Sequence, residues 1–164
     1  VKKIFLTYLM LIVLSSVAYA HGKKHVHGEG RLDVAVDKGN LSLNLELPLD
    51  VAVGFERKPK NDKEKATLEA AGKILQDAGL LWVINSSAGC QLISAQVGLP
   101  KFEGGHADID ASYTYQCANP SDLKTIETSL FKSFKRLYRL EVKHVGPKGQ
   151  GAIRLTPKNP ELRW

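Results

Sequence analysis

The sequence predicts a single α+β domain, mainly antiparallel β-sheet, with one or two helices and one disulfide, Cys90–Cys117. Three observations lead there. Several segments alternate apolar and polar residues with a period of two, so each has one face for a core and one for water. Only one long segment combines helical spacing with a capping residue ahead of it. The chain also leaves little room for a βαβ crossover.

Residues 1–20 read as a secretory signal. Lys2 and Lys3 form a positive start, residues 4–14 are apolar apart from Thr7 and Tyr8, and Ala18-Tyr19-Ala20 fits a signal-peptidase site. The apolar run is too short for a permanent membrane span. A retained N-terminal anchor is the alternative. No Cys follows the cleavage point, so a lipoprotein anchor is not indicated, and Val1 in place of Met points to a non-standard bacterial start codon. The expectation is a periplasmic domain over residues 21–164.

Removing Lys2 and Lys3 lowers the formal charge from +6 to +4. That mild excess is spread out: Lys58, Lys60, Lys63 and Lys65 alternate with acids and polar residues, as on a solvated face. Aromatic residues make up only 7% of the chain and do not interleave with a basic cluster, which argues against a nucleic-acid partner. Two cysteines in an oxidising compartment normally pair. They lack the C-x-x-C spacing of a reactive dithiol, and closing their loop is worth roughly 3–4 kcal/mol on the chain-entropy model.

Within the domain, Leu32, Val34 and Val36 share one face of a first strand over 31–37, and Leu41, Leu43, Leu45 and Leu47 one face of a second. Asp37-Lys38-Gly39-Asn40 joins them as a hairpin turn, and Pro48 ends the pair. Asn61-Asp62 offers an N-cap for a helix over 63–77, with Ala66, Ala70, Ile74 and Leu75 assigned to the core and Gly79 as the stop. An apolar stretch over 80–84 leads into a loop over 85–89. Residues 90–97 form a third strand of imperfect alternation. Residues 107–117 alternate cleanly, with Ala107, Ile109, Ala111, Tyr113, Tyr115 and Cys117 on one face and His106, Asp108, Asp110, Ser112 and Thr114 on the other. Residues 123–137 fit either a strand followed by a helix or one longer helix. A final hairpin pairs 140–145 with 152–155 around Gly146-Pro147-Lys148-Gly149.

Catalytic signatures are sparse. No Gly-x-Ser-x-Gly turn occurs, and the glycines over 146–151 lack the strand–turn–helix context of a phosphate loop. The histidines are more informative. His25 and His27 stand two apart and project together from an extended chain, and His106 and Asp108 repeat that spacing on a later strand. Side by side, the pairs offer three nitrogens and an oxygen, a donor set for Zn²⁺. Cu²⁺ and Ni²⁺ take the same donors, so residue types alone do not name the metal. The alternative is a solvated N-terminal tail and a polar loop. His21, first after the signal, pairs an α-amine with an imidazole and leaves open a copper-dependent oxidase. His144 lies with Leu140 and Val142 and reads as a partly buried structural histidine.

Six short motifs then occur in one order: His25-Val26-His27-Gly28, Gly54-Phe55-Glu56, Ala88-Gly89-Cys90, His106-Ala107-Asp108, Tyr113-x-Tyr115-x-Cys117 and Gly149-Gln150-Gly151. Together they resemble the ZrgA-like family of bacterial periplasmic zinc-binding proteins, over essentially the whole chain from His25 to about Pro160. The resemblance implies a non-enzymatic role: binding zinc and assisting its uptake by passing it to an ABC-type importer. It implies His25, His27, His106 and Asp108 as ligands. Two departures stand out. Only Lys101-Phe102-Glu103-Gly104-Gly105 occupies the place of the family's long His/Asp-rich insertion, and Arg57 follows Gly-Phe-Glu where many members have His. Glu56 is a further candidate, as a ligand or as an acceptor that orients an imidazole; its alternative is a surface pair with Arg57. A secreted interaction module or inhibitor, with incidental histidines, is the competing reading.

Overall fold

A computed structural model describes residues 27–98, 100, 102 and 107–164. Residues 1–20, expected to form a signal, and His21, His25 and His106 lie outside these residues. Two antiparallel strands open the chain, β1 (Glu29–Asp37) and β2 (Asn40–Pro48), joined by a two-residue turn in which Lys38 and Gly39 both have positive φ. The helices α1 (Leu49–Val53), α2 (Asp62–Gln76) and α3 (Ala78–Leu81) follow, then β3 (Trp82–Ile84), β4 (Cys90–Gly98) and β5 (Asp108–Cys117). Residues 123–137 resolve into a strand, β6 (Thr125–Thr128), and a short helix, α4 (Leu130–Ser133). The chain closes with β7 (Arg139–Gly146), β8 (Gly149–Leu155) and β9 (Glu161–Arg163).

The main sheet has the order β4-β5-β2-β1-β7-β8, and a small second sheet the order β3-β6-β9. All pairings but one are antiparallel; β1 and β7 run parallel, with the whole middle of the chain as their crossover. The alternation read from the sequence holds. Leu32, Leu41, Leu43, Leu45, Leu47, Ile109, Ala111, Tyr113, Leu140 and Val142 are buried in one cluster, with Leu75, Leu81, Trp82, Ile126, Leu130 and Leu162 packed into it from the helices and small sheet. The polar rows, such as Asp33, Asn44, Asp110 and Ser112, are exposed. The imperfect alternation of β4 has a definite cause: a bulge at Ile93 shifts the register against β5 between Leu92 and Ser94.

Cys90 and Cys117 are directly opposed in the β4–β5 register and joined by a disulfide. His144 is partly buried, its ring edge-on to Trp164 at 5.7 Å between centroids. Two expectations about α2 need correction. Ala66 and Ala70 are exposed, and the inward stripe is Leu68, Ala71 and Leu75 with Ile74 at its margin. Leu68 is the bulkier anchor, so the helix rotates to bring it inward at the cost of two alanines that have little area to bury. Nor does Gly79 stop the helix: α2 ends at Gln76, and Asp77 re-caps the chain by accepting from the Leu80 N–H, which starts α3.

Candidate metal centre

His27 directly precedes β1, and the glycine beside it pins its position. Gly28 has φ +79°, and its carbonyl accepts from the Tyr138 N–H at 3.0 Å. A Cβ on Gly28 would stand 2.2 Å from Tyr138 Cε1, so only glycine allows this approach. Glu29 then ion-pairs with Arg139 and accepts from the Tyr138 hydroxyl at 3.2 Å, fastening the chain to the start of β7.

Across the sheet, β2 runs straight into α1. Leu49 and Val51 are buried and anchor this helix, and the Leu49 N–H donates to the Ala107 carbonyl at 2.9 Å. Asp50, between the two anchors, is left at the surface edge with its side chain 21% exposed. Gly54 ends the helix in the left-handed conformation, with φ +89° and its N–H donating to the Asp50 carbonyl. The turn that follows presents Glu56.

These elements bring three donors together. His27 Nδ1 lies 2.8 Å from Asp50 Oδ2 and 3.9 Å from Glu56 Oε1, and one donor atom of each residue falls within 4.8 Å of the other two. The imidazole is 80% exposed, so the cluster opens to solvent. The Asp50 hydrogen bond, then the negative charges of Asp50 and Glu56, hold the His27 pKa above its usual 6.5. One imidazole nitrogen and two carboxylates suit Zn²⁺. Ligand bonds of about 2.0–2.2 Å put tetrahedral neighbours roughly 3.3 Å apart, between the two observed separations. The second carboxylate oxygen of Asp50, Oδ1, is buried and has no hydrogen-bond partner among the described residues. A bound cation would relieve that cost.

Of the four residues expected as ligands, only His27 and Asp108 fall in the described part; His25 and His106 lie outside it. Asp108 heads β5, opposite Pro48 in the register, next to the start of α1. Asp50 was missed. Nothing in Pro48-Leu49-Asp50 points to a metal, because the approach of Asp50 to His27 depends on a short helix that the sequence pattern hides. Arg57 does not pair with Glu56. Its guanidinium binds Glu64 through two hydrogen bonds of 2.7 and 2.8 Å. A wider concavity of about 550 Å³, bordered by Asp33, Asn44, Lys143 and Gln150, lies away from this cluster over β1, β7 and β8.

The family model for ZrgA family zinc uptake proteins matches residues 24–164. The chain belongs to that family. No curated protein matches the chain at a significant level. The ZrgA family is one of zinc uptake, and the matched span takes in His25, His27, Asp50, Glu56, His106 and Asp108. The disulfide fits an exported protein. No helix among the described residues is long and apolar enough to cross a membrane.

Proposed function

We propose that this ZrgA-family protein is a periplasmic zinc-binding protein that captures Zn²⁺ and passes it to a component of an ABC-type importer. In this reading residues 1–20 are a cleaved signal and residues 21–164 the working domain. The carrying observation is the convergence of His27, Asp50 and Glu56 at one solvent-open point. His27 and the two carboxylates supply three ligands, and His106 supplies the fourth. Its chain neighbour Ala107 is tied to Leu49, one residue from Asp50. His25 and Asp108, the other two residues read from the sequence as ligands, offer further donors as the ion is taken up and handed on. Zinc is cargo here, so a site at the surface with an exposed imidazole suits transfer better than an enclosed structural site.

Calorimetric titration with Zn²⁺ at neutral pH tests this, using the parent and the variants His27→Ala, Asp50→Asn and His106→Ala. One-to-one saturable binding, weakened in all three variants, is the expected result. Equal affinity in the parent and all variants refutes the shared site. No saturable binding by the parent refutes the functional reading and favours the interaction module.

A further inference from the structure

We propose that Arg57 is a positioning residue for the metal centre: it clamps the turn that carries Glu56 onto the first turn of α2 and so keeps the Glu56 carboxylate beside His27. This rests on the zinc-site reading above and adds a residue that does not itself touch the ion.

The turn after Gly54 joins α1 to α2 and carries Phe55, Glu56 and Arg57 in succession. Arg57 crosses from it to Glu64 with a two-pronged pair of hydrogen bonds at 2.7 and 2.8 Å, and stacks its guanidinium 5.2 Å over the Phe55 ring centroid. Phe55 is partly buried against the core, so Glu56 lies between one residue held from below and another held from the side. Glu64 is a prepared partner. Its carboxylate also accepts the Lys60 N–H at 2.7 Å, while its own N–H donates to the Asn61 side chain at 2.9 Å, a variant of the capping box. The Arg57 hydrogen bonds, then the Lys60 N–H, hold the Glu64 carboxyl down at about 2, so it stays ionised throughout the working range. A planar guanidinium makes this two-pronged contact and an ammonium does not.

The sign of the effect separates positioning from simple electrostatics. A cation next to a zinc site repels the ion, so deleting Arg57 should tighten binding if charge alone matters. If Arg57 positions Glu56, deleting it should weaken binding. Loss of a group that orients a ligand typically costs about 10–100-fold in metal affinity, and an exposed clamp belongs at about tenfold.

The test is titration of the protein with Zn²⁺ alone, with thermal melts run in parallel. Arg57→Ala and Glu64→Gln should each weaken binding about tenfold, Arg57→Lys should not restore it, and the Arg57→Ala/Glu64→Gln double variant should be no weaker than either single one. In a Glu56→Gln background, Arg57→Ala should have no further effect. Unchanged or tighter binding in Arg57→Ala overturns the proposal, as does a loss of the same size when Glu56 is already neutral. If the parent does not bind zinc, the functional reading fails and takes this inference with it. If Glu56→Gln weakens binding and Arg57→Ala does not, this inference alone fails.

Discussion

Acidification should release zinc in a pattern that identifies His27. An imidazole must lose its proton to bind the ion, so zinc and proton compete for the same nitrogen. Below the pKa of a ligand imidazole the apparent affinity falls about tenfold per pH unit. With His27 and His106 both ligating, the limiting loss is about a hundredfold per unit. Asp50 and Glu56 raise the His27 pKa above 6.5, so the decline should set in above pH 6.5. Asp50→Asn removes the hydrogen bond that contributes most to that rise, so the break should move to lower pH while the plateau affinity also drops for want of a donor. His27→Ala should lower the limiting slope from two to one. A chromophoric chelator in competition, read from about pH 8 to about pH 5.5, measures all three quantities. A flat profile, or the same break in Asp50→Asn, would refute the reasoning. The ion-free fold responds in the opposite sense. A raised histidine pKa adds stability that is complete below 6.5 and lost as pH rises through the folded-state value, and the effect stays small because the ring is exposed.

Other outcomes follow from the fold. Replacing both Cys90 and Cys117 by Ala opens a link with a sequence separation of 27, which should cost about 3.5 kcal/mol in urea denaturation; a loss under about 1 kcal/mol would contradict it. Tyr113 is fully buried, with its hydroxyl donating to the Leu75 carbonyl at 2.6 Å, so Tyr113→Phe should cost about 1–2 kcal/mol, and an unchanged urea midpoint would exclude that bond as a contributor. Gly28→Ala combines a left-handed backbone with a collision against Tyr138, and should cost at least about 2 kcal/mol while also weakening zinc binding. Normal stability in that variant would mean that Tyr138 gives way freely.

The sheet was legible because its inward residues are large and strictly alternating. The leucines of β2 face Ile109, Ala111, Tyr113 and Tyr115 across the β2–β5 register, and a one-residue slip would turn both rows to water. The pattern failed where little area is at stake. The α2 helix buries only a narrow stripe, so four alanine and aliphatic positions at helical spacing did not fix its rotation. The short helices α1, α3 and α4 run for five residues or fewer, too short to display a period. The parallel β1–β7 pair joins strands from opposite ends of the chain, and no local signal announces such a contact.

The candidate metal centre divides along the same line, between what a residue's type can signal and what only its address supplies. His27 directly precedes Gly28 and Glu56 follows Gly54 by two residues, and the fold requires the conformation of both glycines, Gly28 against Tyr138 and Gly54 at the end of α1. Their short motifs are therefore traces of backbone geometry as much as of chemistry. Asp50 has no such trace. Alternation would have placed it as an ordinary polar residue after a strand-ending proline. It reaches His27 because Leu49 and Val51 on either side sink into the core and because the Leu49 N–H is tied to Ala107 at the head of β5. That same tie sets Ala107, and with it Asp108 opposite Pro48, beside α1. Two segments nearly sixty residues apart thus meet through one backbone hydrogen bond and the register that follows it. Substitutions that disturb this junction, such as replacement of buried Leu49, should therefore weaken zinc binding without touching a ligand.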